Sequence, residues 1–126
     1  MPPRLAWQAS SGDSGNNWKD RKYSSVDNPG TSLEMIKLSN GHAALAFNDS
    51  KKNLRRLTLA LSLDEGRSWP YKRTIESKTK NLNTYPSVIQ DRGGLIHVVY
   101  SYDNRKSIAH FVTDEKWIQG LSGSSL

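Results

Sequence analysis

The chain has 126 residues, the size of one ordinary domain, with a formal net charge of +6 and a mean hydropathy of −0.70. It has no cysteine, which excludes disulfide scaffolds, thiolate chemistry and cysteine-based zinc sites. No apolar run approaches the ~20 residues of a membrane helix and no signal peptide is visible, so we expect no membrane partner and leave the compartment open.

The excess positive charge is confined to one stretch. Between Lys51 and Lys80 there are nine basic and three acidic residues, and the rest of the chain carries nine of each sign. An anionic partner would meet this stretch, although a solvated basic face without a ligand explains it equally well. No helix-turn-helix, zinc-finger or aromatic RNA-binding signature accompanies the charge, so we expect no nucleic-acid partner.

Periodicity predicts an all-β chain with almost no helix. Nine strand-like runs occupy residues 5–10, 19–24, 33–38, 42–47, 56–62, 71–76, 86–90, 95–102 and 107–113. Two lie before Asp27, four follow up to Glu76 and three come after it. The Gly- and Ser-containing tail, residues 119–126, is expected to be frayed.

Two hairpins are marked by their turn residues. Ser39-Asn40-Gly41 separates two of the runs, and Asn-Gly tolerates the positive φ that a tight two-residue turn demands. Asp91-Arg92-Gly93-Gly94 repeats the same design with a slightly longer turn. Both segments therefore predict antiparallel pairing of the runs on either side.

One motif occurs twice. Residues 11–18 and 62–69 both obey Ser-x-Asp-x-Gly-x-[Asn/Ser]-Trp, and the copies start 51 residues apart, a spacing typical of propeller-blade repeats. The carboxylate can accept hydrogen bonds from loop amides, the glycine takes a conformation that a side chain would forbid, and the tryptophan packs under the turn. We therefore interpret eight residues as structural: Ser11, Asp13, Gly15, Trp18, Ser62, Asp64, Gly66 and Trp69. Residues 113–117 are at best a degenerate third copy, without the glycine.

These repeats resemble the Asp boxes of the sialidase (neuraminidase) superfamily. The order of motifs around the second copy extends the resemblance: Arg55-Arg56-Leu57-Thr58-Leu59 before it is similar to the fifth blade of a six-bladed sialidase propeller. Thr84-Tyr85-Pro86-Ser87 is similar to the start of the sixth blade and fits a predicted-neuraminidase subgroup. The resemblance covers roughly residues 5–117.

The resemblance implies an architecture. Nine strands in antiparallel four-stranded sheets make about two and a quarter propeller blades. Residues 1–26 would end one blade, 27–80 would form a complete blade, 81–118 most of the next, and 119–126 a flexible tail. Such a segment is expected to belong to a longer chain or to form a homo-oligomer, because open blade faces expose apolar surface.

The resemblance also implies a site. Tyr85 would be the nucleophile that attacks the anomeric carbon of an acidic sugar, and one of Arg55 and Arg56 would bind the sugar carboxylate. We slightly prefer Arg56, although strand alternation sends the two side chains to opposite faces and leaves Arg55 nearly equal. The other arginines, the acid/base aspartate and the activating glutamate of the family lie in blades that would precede Leu5.

The same residues also have simpler, structural interpretations. Tyr85 can be a packing residue at a strand start, and Arg55 and Arg56 can be loop-end charges. His42, His97 and His110 lie on three separated strands without the spacing of a metal site, so we expect no metal and no cofactor. Asn48-Asp49-Ser50 matches the glycosylation pattern, which matters only in a secreted chain.

The sequence thus predicts a sialidase-like propeller segment that is incomplete and inactive on its own, with a sialic-acid-like or other acidic glycan as ligand. The alternative is a non-catalytic carbohydrate- or protein-binding propeller module that uses the basic stretch.

Overall fold

The computed structural model describes residues 3–77 and 81–121, which form nine β-strands and one short helix. The prediction of an all-β chain with nine strands is confirmed. The elements in chain order are β1 (Leu5–Ser10), β2 (Lys19–Asp27), β3 (Glu34–Lys37), β4 (Ala43–Asn48), β5 (Leu57–Ser62), β6 (Tyr71–Glu76), β7 (Thr84–Gln90), β8 (Ile96–Tyr102), β9 (Ser107–Thr113) and α1 (Glu115–Gln119). No helix among the described residues is long and apolar enough to cross a membrane.

The strands form three antiparallel sheets in which chain neighbours pair. Sheet A is β1-β2, sheet B is β3-β4-β5-β6 and sheet C is β7-β8-β9. The predicted division into two, four and three strands is therefore observed, with sheet B the four-stranded sheet of the described residues.

Sheet B lies between the other two sheets. Its central strands β4 and β5 are buried at every position, because alternate side chains face opposite neighbours. Leu57, Leu59 and Leu61 pack in one apolar cluster with Val88 and Val98 of sheet C. Leu45, Phe47 and Ala60 pack in a second cluster with Val26 of sheet A. Burial on both faces accounts for the nearly continuous apolar sequence of these two strands.

The β3–β4 turn has one residue more than the predicted two-residue turn. The Leu38 amide donates to the His42 carbonyl (2.8 Å) and the Gly41 amide donates to the Leu38 carbonyl (2.9 Å), which leaves a three-residue loop. Gly41 has φ 93°, whereas Asn40 is outside the left-handed region. The loop therefore needs one glycine at its last position, and the β7–β8 turn repeats this pattern between Asp91 and Leu95.

Residues 113–117 end β9 and begin α1, so they are not a third copy of the repeated turn. The Asp114 carboxylate accepts a hydrogen bond from the Trp117 amide (2.9 Å) and caps α1. The helix ends at Gln119 and Gly120 caps it, so the prediction of a frayed tail from residue 119 is wrong for these two residues; residues 122–126 lie outside the described part of the chain. Arg73 fixes α1 to β6 through a hydrogen bond to the Trp117 carbonyl (2.9 Å).

Candidate functional site

The second repeated turn, after β5, satisfies its own polar groups. Asp64 Oδ1 accepts from the Ser62 hydroxyl (2.7 Å) and from the Ser68 amide (2.8 Å), and Oδ2 accepts from the Ser68 hydroxyl (2.6 Å). Ser62 Oγ in turn accepts from the Gly66 amide (2.8 Å). Gly66 has φ 85°, the left-handed conformation that a side chain disfavours.

The first repeated turn has the same geometry. Asp13 Oδ1 accepts from the Ser11 hydroxyl and the Asn17 amide (both 2.8 Å), and Oδ2 accepts from Asn17 Nδ2 (2.7 Å). The tryptophans differ: the Trp18 side chain is 66% exposed, whereas Trp69 packs half-buried against Phe47 and its neighbours. The two turns share their hydrogen bonds but not their packing.

The aspartates of the repeated turns are occupied by hydrogen bonds within their own loops. Hydrogen bonds from Asn17, first from its side chain and then from its amide, lower the pKa of Asp13 to about 2. Those from Ser68 lower the pKa of Asp64 to about 2 in the same way. A carboxylate that already accepts this many bonds is held as an anion by the loop itself. We therefore assign a structural role to both turns.

Tyr85 lies at a bulge at the start of β7. Thr84 pairs with Ser101 and Ser87 with Val99, so the β7 side has one extra residue in this interval. Tyr85 has φ 54°, and its side chain is 59% exposed. A left-handed backbone is a genuine outlier for a bulky residue, and a following proline favours an extended one. Such strain is concentrated at functional sites, which makes Tyr85 the starting point of a candidate site.

Arg105, from the β8–β9 loop, covers the Tyr85 ring. Its guanidinium carbon lies 5.3 Å from the ring centroid, within the range of a cation–π contact. The preceding residue ties the loop to the chain before Tyr85, because Asn104 Oδ1 accepts a hydrogen bond from the Leu82 amide (2.8 Å). Sequence patterns alone assign no role to Arg105, since its contact with Tyr85 depends on the pairing of distant strands.

A buried asparagine pair joins the predicted arginines to the Tyr85 segment. The Asn83 amide donates to the Leu54 carbonyl (2.9 Å), and Asn83 Nδ2 donates to the Arg55 carbonyl (2.7 Å). Asn48 Nδ2 donates to the carbonyls of Arg56 (3.1 Å) and Asn83 (2.8 Å). The loop before β5 and the start of β7 are therefore held side by side, and we call Arg55, Arg56, Asn83, Tyr85 and Arg105 the Tyr85 edge.

The arginines of the Tyr85 edge point to solvent without a counter-charge. Arg55, Arg56 and Arg105 are exposed, and no described carboxylate lies within 4 Å of their guanidinium groups. Both Arg55 and Arg56 meet this description, so the choice between them stays open. Asn83 Oδ1 and Thr84 Oγ1 are buried at this edge and have no hydrogen-bond partner among residues 3–77 and 81–121. The edge thus combines uncompensated positive charge with unsatisfied polar groups.

Asn48 is a structural residue of the folded chain. Its side chain is fully buried, and Oδ1 accepts from the Thr31 hydroxyl (3.0 Å) while Nδ2 makes the two bonds described above. A transferase cannot reach this amide in the folded state. The glycosylation pattern at residues 48–50 is therefore unusable once the chain has folded, a conclusion that the sequence pattern alone could not give.

Tyr100 is a poorer candidate nucleophile than Tyr85. It is buried in the cluster between sheets B and C, and burial, followed by the nearby Glu76 and Tyr102, raises its pKa to about 12. An exposed phenol can meet a ligand and a buried one cannot.

Two histidines that the sequence places on separated strands are neighbours. His97 Nδ1 on β8 lies 2.9 Å from His110 Nε2 on β9, and His97 Nε2 donates to Asp91 Oδ2 (2.8 Å). This hydrogen bond lowers the pKa of Asp91. His42 bonds separately to Glu115 on α1 (2.6 Å). Over residues 3–77 and 81–121, no three His, Asp or Glu side chains are grouped so that they could hold a metal ion.

A groove of about 1000 Å³ runs between sheets A and B, at the other end of β5 from Arg55 and Arg56. Its lining includes Gln8, Lys22, Met35, Arg67 and Trp69. None of the residues of the Tyr85 edge contributes to it, so it is separate from the candidate site.

A family model described as a BNR repeat-like domain matches residues 3–98. The match includes both repeated turns and, at the candidate site, Arg55, Arg56 and Tyr85. A search of curated proteins found no match.

Proposed function

The chain belongs to the BNR repeat-like domain family, and from this membership we propose that it is a sialidase-like propeller segment that binds an acidic saccharide at the Tyr85 edge. The observation that carries the proposal is the strained, exposed Tyr85 beside arginines without counter-charges. The chain also resembles the fifth and sixth blades of sialidases and the predicted-neuraminidase subgroup. This resemblance supports the proposal that the chain is sialidase-like.

The chemistry of the edge suits a carboxylate-bearing sugar. A planar guanidinium can donate two parallel hydrogen bonds to one carboxylate, and Arg55 and Arg56 each have this group free in solvent. The Tyr85 ring offers an apolar face and a hydroxyl at the same place. A ligand carboxylate would supply the negative charge that the described residues do not provide there.

Turnover needs more than the Tyr85 edge. Attack by the Tyr85 oxygen on an anomeric carbon requires a base to take the phenol proton, and the leaving group requires an acid. Among the described residues, no carboxylate hydrogen-bonds to the Tyr85 hydroxyl. We therefore propose that this chain alone binds its saccharide without cleaving it.

The test is a titration of the chain with 3′-sialyllactose and with lactose, followed by amide chemical shifts in NMR spectra. We expect shifts at residues 54–56, 82–85, 87 and 104–106 with the sialylated sugar, and none with lactose. Equal binding of lactose, or shifts confined to the groove between sheets A and B, would contradict the proposal. If the chain releases the fluorophore from a fluorogenic sialoside, and Tyr85→Phe abolishes this release, the proposal that the chain alone does not cleave its saccharide is wrong.

The second candidate is a non-catalytic carbohydrate- or protein-binding module. The exposure of Lys51, Lys52, Arg55 and Arg56 on one loop favours it. The two candidates differ in the role of Tyr85. Binding of acidic glycans that survives Tyr85→Phe, but falls with added salt and with loss of Arg55 and Arg56, would favour the module.

We also propose that the chain works as an assembly, either with copies of itself or within a longer chain. Apolar side chains stand exposed on the outer face of sheet C, where Ile108 is 75% exposed beside Ile89 and Val99. Sedimentation at increasing concentration should show a rising average mass. A constant monomer mass at high concentration would count against self-association.

A further inference from the structure

Arg105 differs from the other arginines of the Tyr85 edge by the element that carries it. Arg55 and Arg56 precede β5 in sheet B, whereas Arg105 lies in the β8–β9 loop of sheet C. Its guanidinium is oriented by the Tyr85 ring at 5.3 Å, yet no described carboxylate neutralises it. The side chain is thus held in place while its charge stays free.

The backbone around Arg105 is unfavourable for an arginine. Asp103, Asn104 and Arg105 have φ values of 53°, 57° and 71°, three left-handed residues in a row. Asp and Asn tolerate this conformation, but it is unfavourable for an arginine because the Cβ atom comes too close to the following carbonyl oxygen. The loop keeps its shape because Asn104 Oδ1 holds the Leu82 amide. A costly backbone that presents a free cation beside a strained tyrosine points to a ligand.

Hydrogen bonds connect the Tyr85 segment to both cationic loops. The Asn83 amide and side chain donate to the carbonyls of Leu54 and Arg55 in the loop before β5. The Leu82 amide donates to the Asn104 side chain in the loop after β8. Arg105 therefore comes to the Tyr85 segment from a different loop than Arg55 and Arg56, and each loop can present its cation to a separate acidic group.

We propose that Arg105 supplies a second anion-binding point, so that the Tyr85 edge selects saccharides carrying two acidic groups over those carrying one. The inference rests on the proposed function, because it takes the Tyr85 edge to be the saccharide site. Arg55 or Arg56 binds one acidic group, and Arg105 binds the other across the Tyr85 ring.

The experiment compares disialyllactose, 3′-sialyllactose and lactose by calorimetric titration at about 0.15 M salt, where charges more than ~8 Å apart are largely screened. We expect the intact chain to bind disialyllactose about tenfold more tightly than sialyllactose. Arg105→Gln should reduce this ratio to about twofold, because it weakens binding of disialyllactose more than binding of sialyllactose. Arg105→Lys keeps the charge without the planar donor group, so its ratio should be intermediate.

Arg92→Gln is the matched control. Arg92 is an exposed arginine in the turn at the opposite end of β7 and β8, and its removal changes the net charge by the same amount. The tenfold ratio should survive in this variant. Amide NMR spectra check that each variant keeps the fold.

Four results would overturn the inference. Equal weakening of both sialylated sugars by Arg105→Gln would place Arg105 on the same single anion as Arg55 or Arg56. An equal effect of Arg92→Gln would mean general charge attraction. If Arg105→Gln leaves the ratio of disialyllactose to sialyllactose affinity unchanged, Arg105 has no role in this selectivity, and the proposed function still stands. If neither sialylated sugar binds the intact chain, the proposed function fails and this inference with it.

Discussion

The two ends of strand β5 are built in opposite ways. At its end, Ser62 and Asp64 hydrogen-bond within their own turn, and the pKa of Asp64 falls to about 2 because the loop itself supplies the donors. At its start, Arg55 and Arg56 face solvent without a carboxylate partner among the described residues. The six residues of β5 separate the two ends by about 20 Å.

This difference distinguishes the Asp64 turn, which is structural, from the Tyr85 edge, which is the candidate binding surface. A turn whose donors and acceptors are all paired contributes stability and has little left for a ligand. An edge with exposed cations, a strained Tyr85 and, within the described part of the chain, unpaired buried oxygens at Asn83 and Thr84 is costly for folding. We therefore propose that ligand binding explains its arrangement. Substitutions in the Asp64 turn should therefore lower stability, whereas substitutions at the Tyr85 edge should weaken saccharide binding.

The largest expected effect is on stability at the turn end. Trp69→Ala removes a half-buried indole from the cluster between sheets A and B and should lower the free energy of unfolding by about 3 kcal/mol. Trp18→Ala is the matched control, since Trp18 occupies the same position of the first turn but is 66% exposed; its loss should be about 1 kcal/mol. Urea denaturation measures both. Equal losses would show that the internal turn geometry, rather than packing, sets the stability.

Backbone strain should give effects of opposite sign at the two ends. Gly66→Ala places a side chain at φ 85° and should destabilise by about 1 kcal/mol, whereas Tyr85→Gly relieves φ 54° and should stabilise by about 0.5 kcal/mol. Tyr85→Gly should at the same time abolish binding of acidic saccharides. Thermal unfolding and a binding titration on the same samples check both results. A destabilised Tyr85→Gly variant would mean that the Tyr85 ring is a packing residue.

The smallest expected effect is on the acid titration of the Asp13 and Asp64 carboxyl groups. The folded pKa values of Asp13 and Asp64, about 2, lie below the ordinary value of 3.8, so their contribution to stability is complete above pH 3.8 and is lost as the pH falls toward 2. Asn17→Ala should raise only the pKa of Asp13, and Ser68→Ala only that of Asp64. Carboxyl NMR signals follow each group separately. Ordinary titration near 3.8 in the intact chain would contradict the hydrogen-bonded geometry.

Local chemistry explains what the sequence could predict. The Asp64 turn and the Asn40-Gly41 hairpin are each defined by residues within eight positions of one another, so their patterns can be recognised without knowing the sheet. The alternation of apolar residues then predicts the strands on either side. The family match over residues 3–98 agrees with the repeats on which the resemblance was based.

Long-range register explains what the sequence could not predict. The Arg105–Tyr85 contact and the His97–His110 pair depend on how β8 aligns with β7 and β9. The Asn83 bridge depends on the packing of sheet C against sheet B. The left-handed backbone of Tyr85 lies at a β-bulge, which cannot be predicted from any single residue type. The sequence predicts Tyr85 and the two arginines as candidate site residues, and this stays a prediction; it does not predict the asparagines that hold their segments side by side.

The most direct test of the account compares arginines at the two ends of β5 for binding of 3′-sialyllactose. Arg55→Gln and Arg56→Gln remove charge at the Tyr85 edge, and Arg67→Gln removes the same charge from the Asp64 turn. We predict that binding falls at least tenfold in one of the first two variants and stays unchanged in Arg67→Gln. Equal binding in all three, or an equal loss in all three, would contradict the claim that the Tyr85 edge is the recognition site.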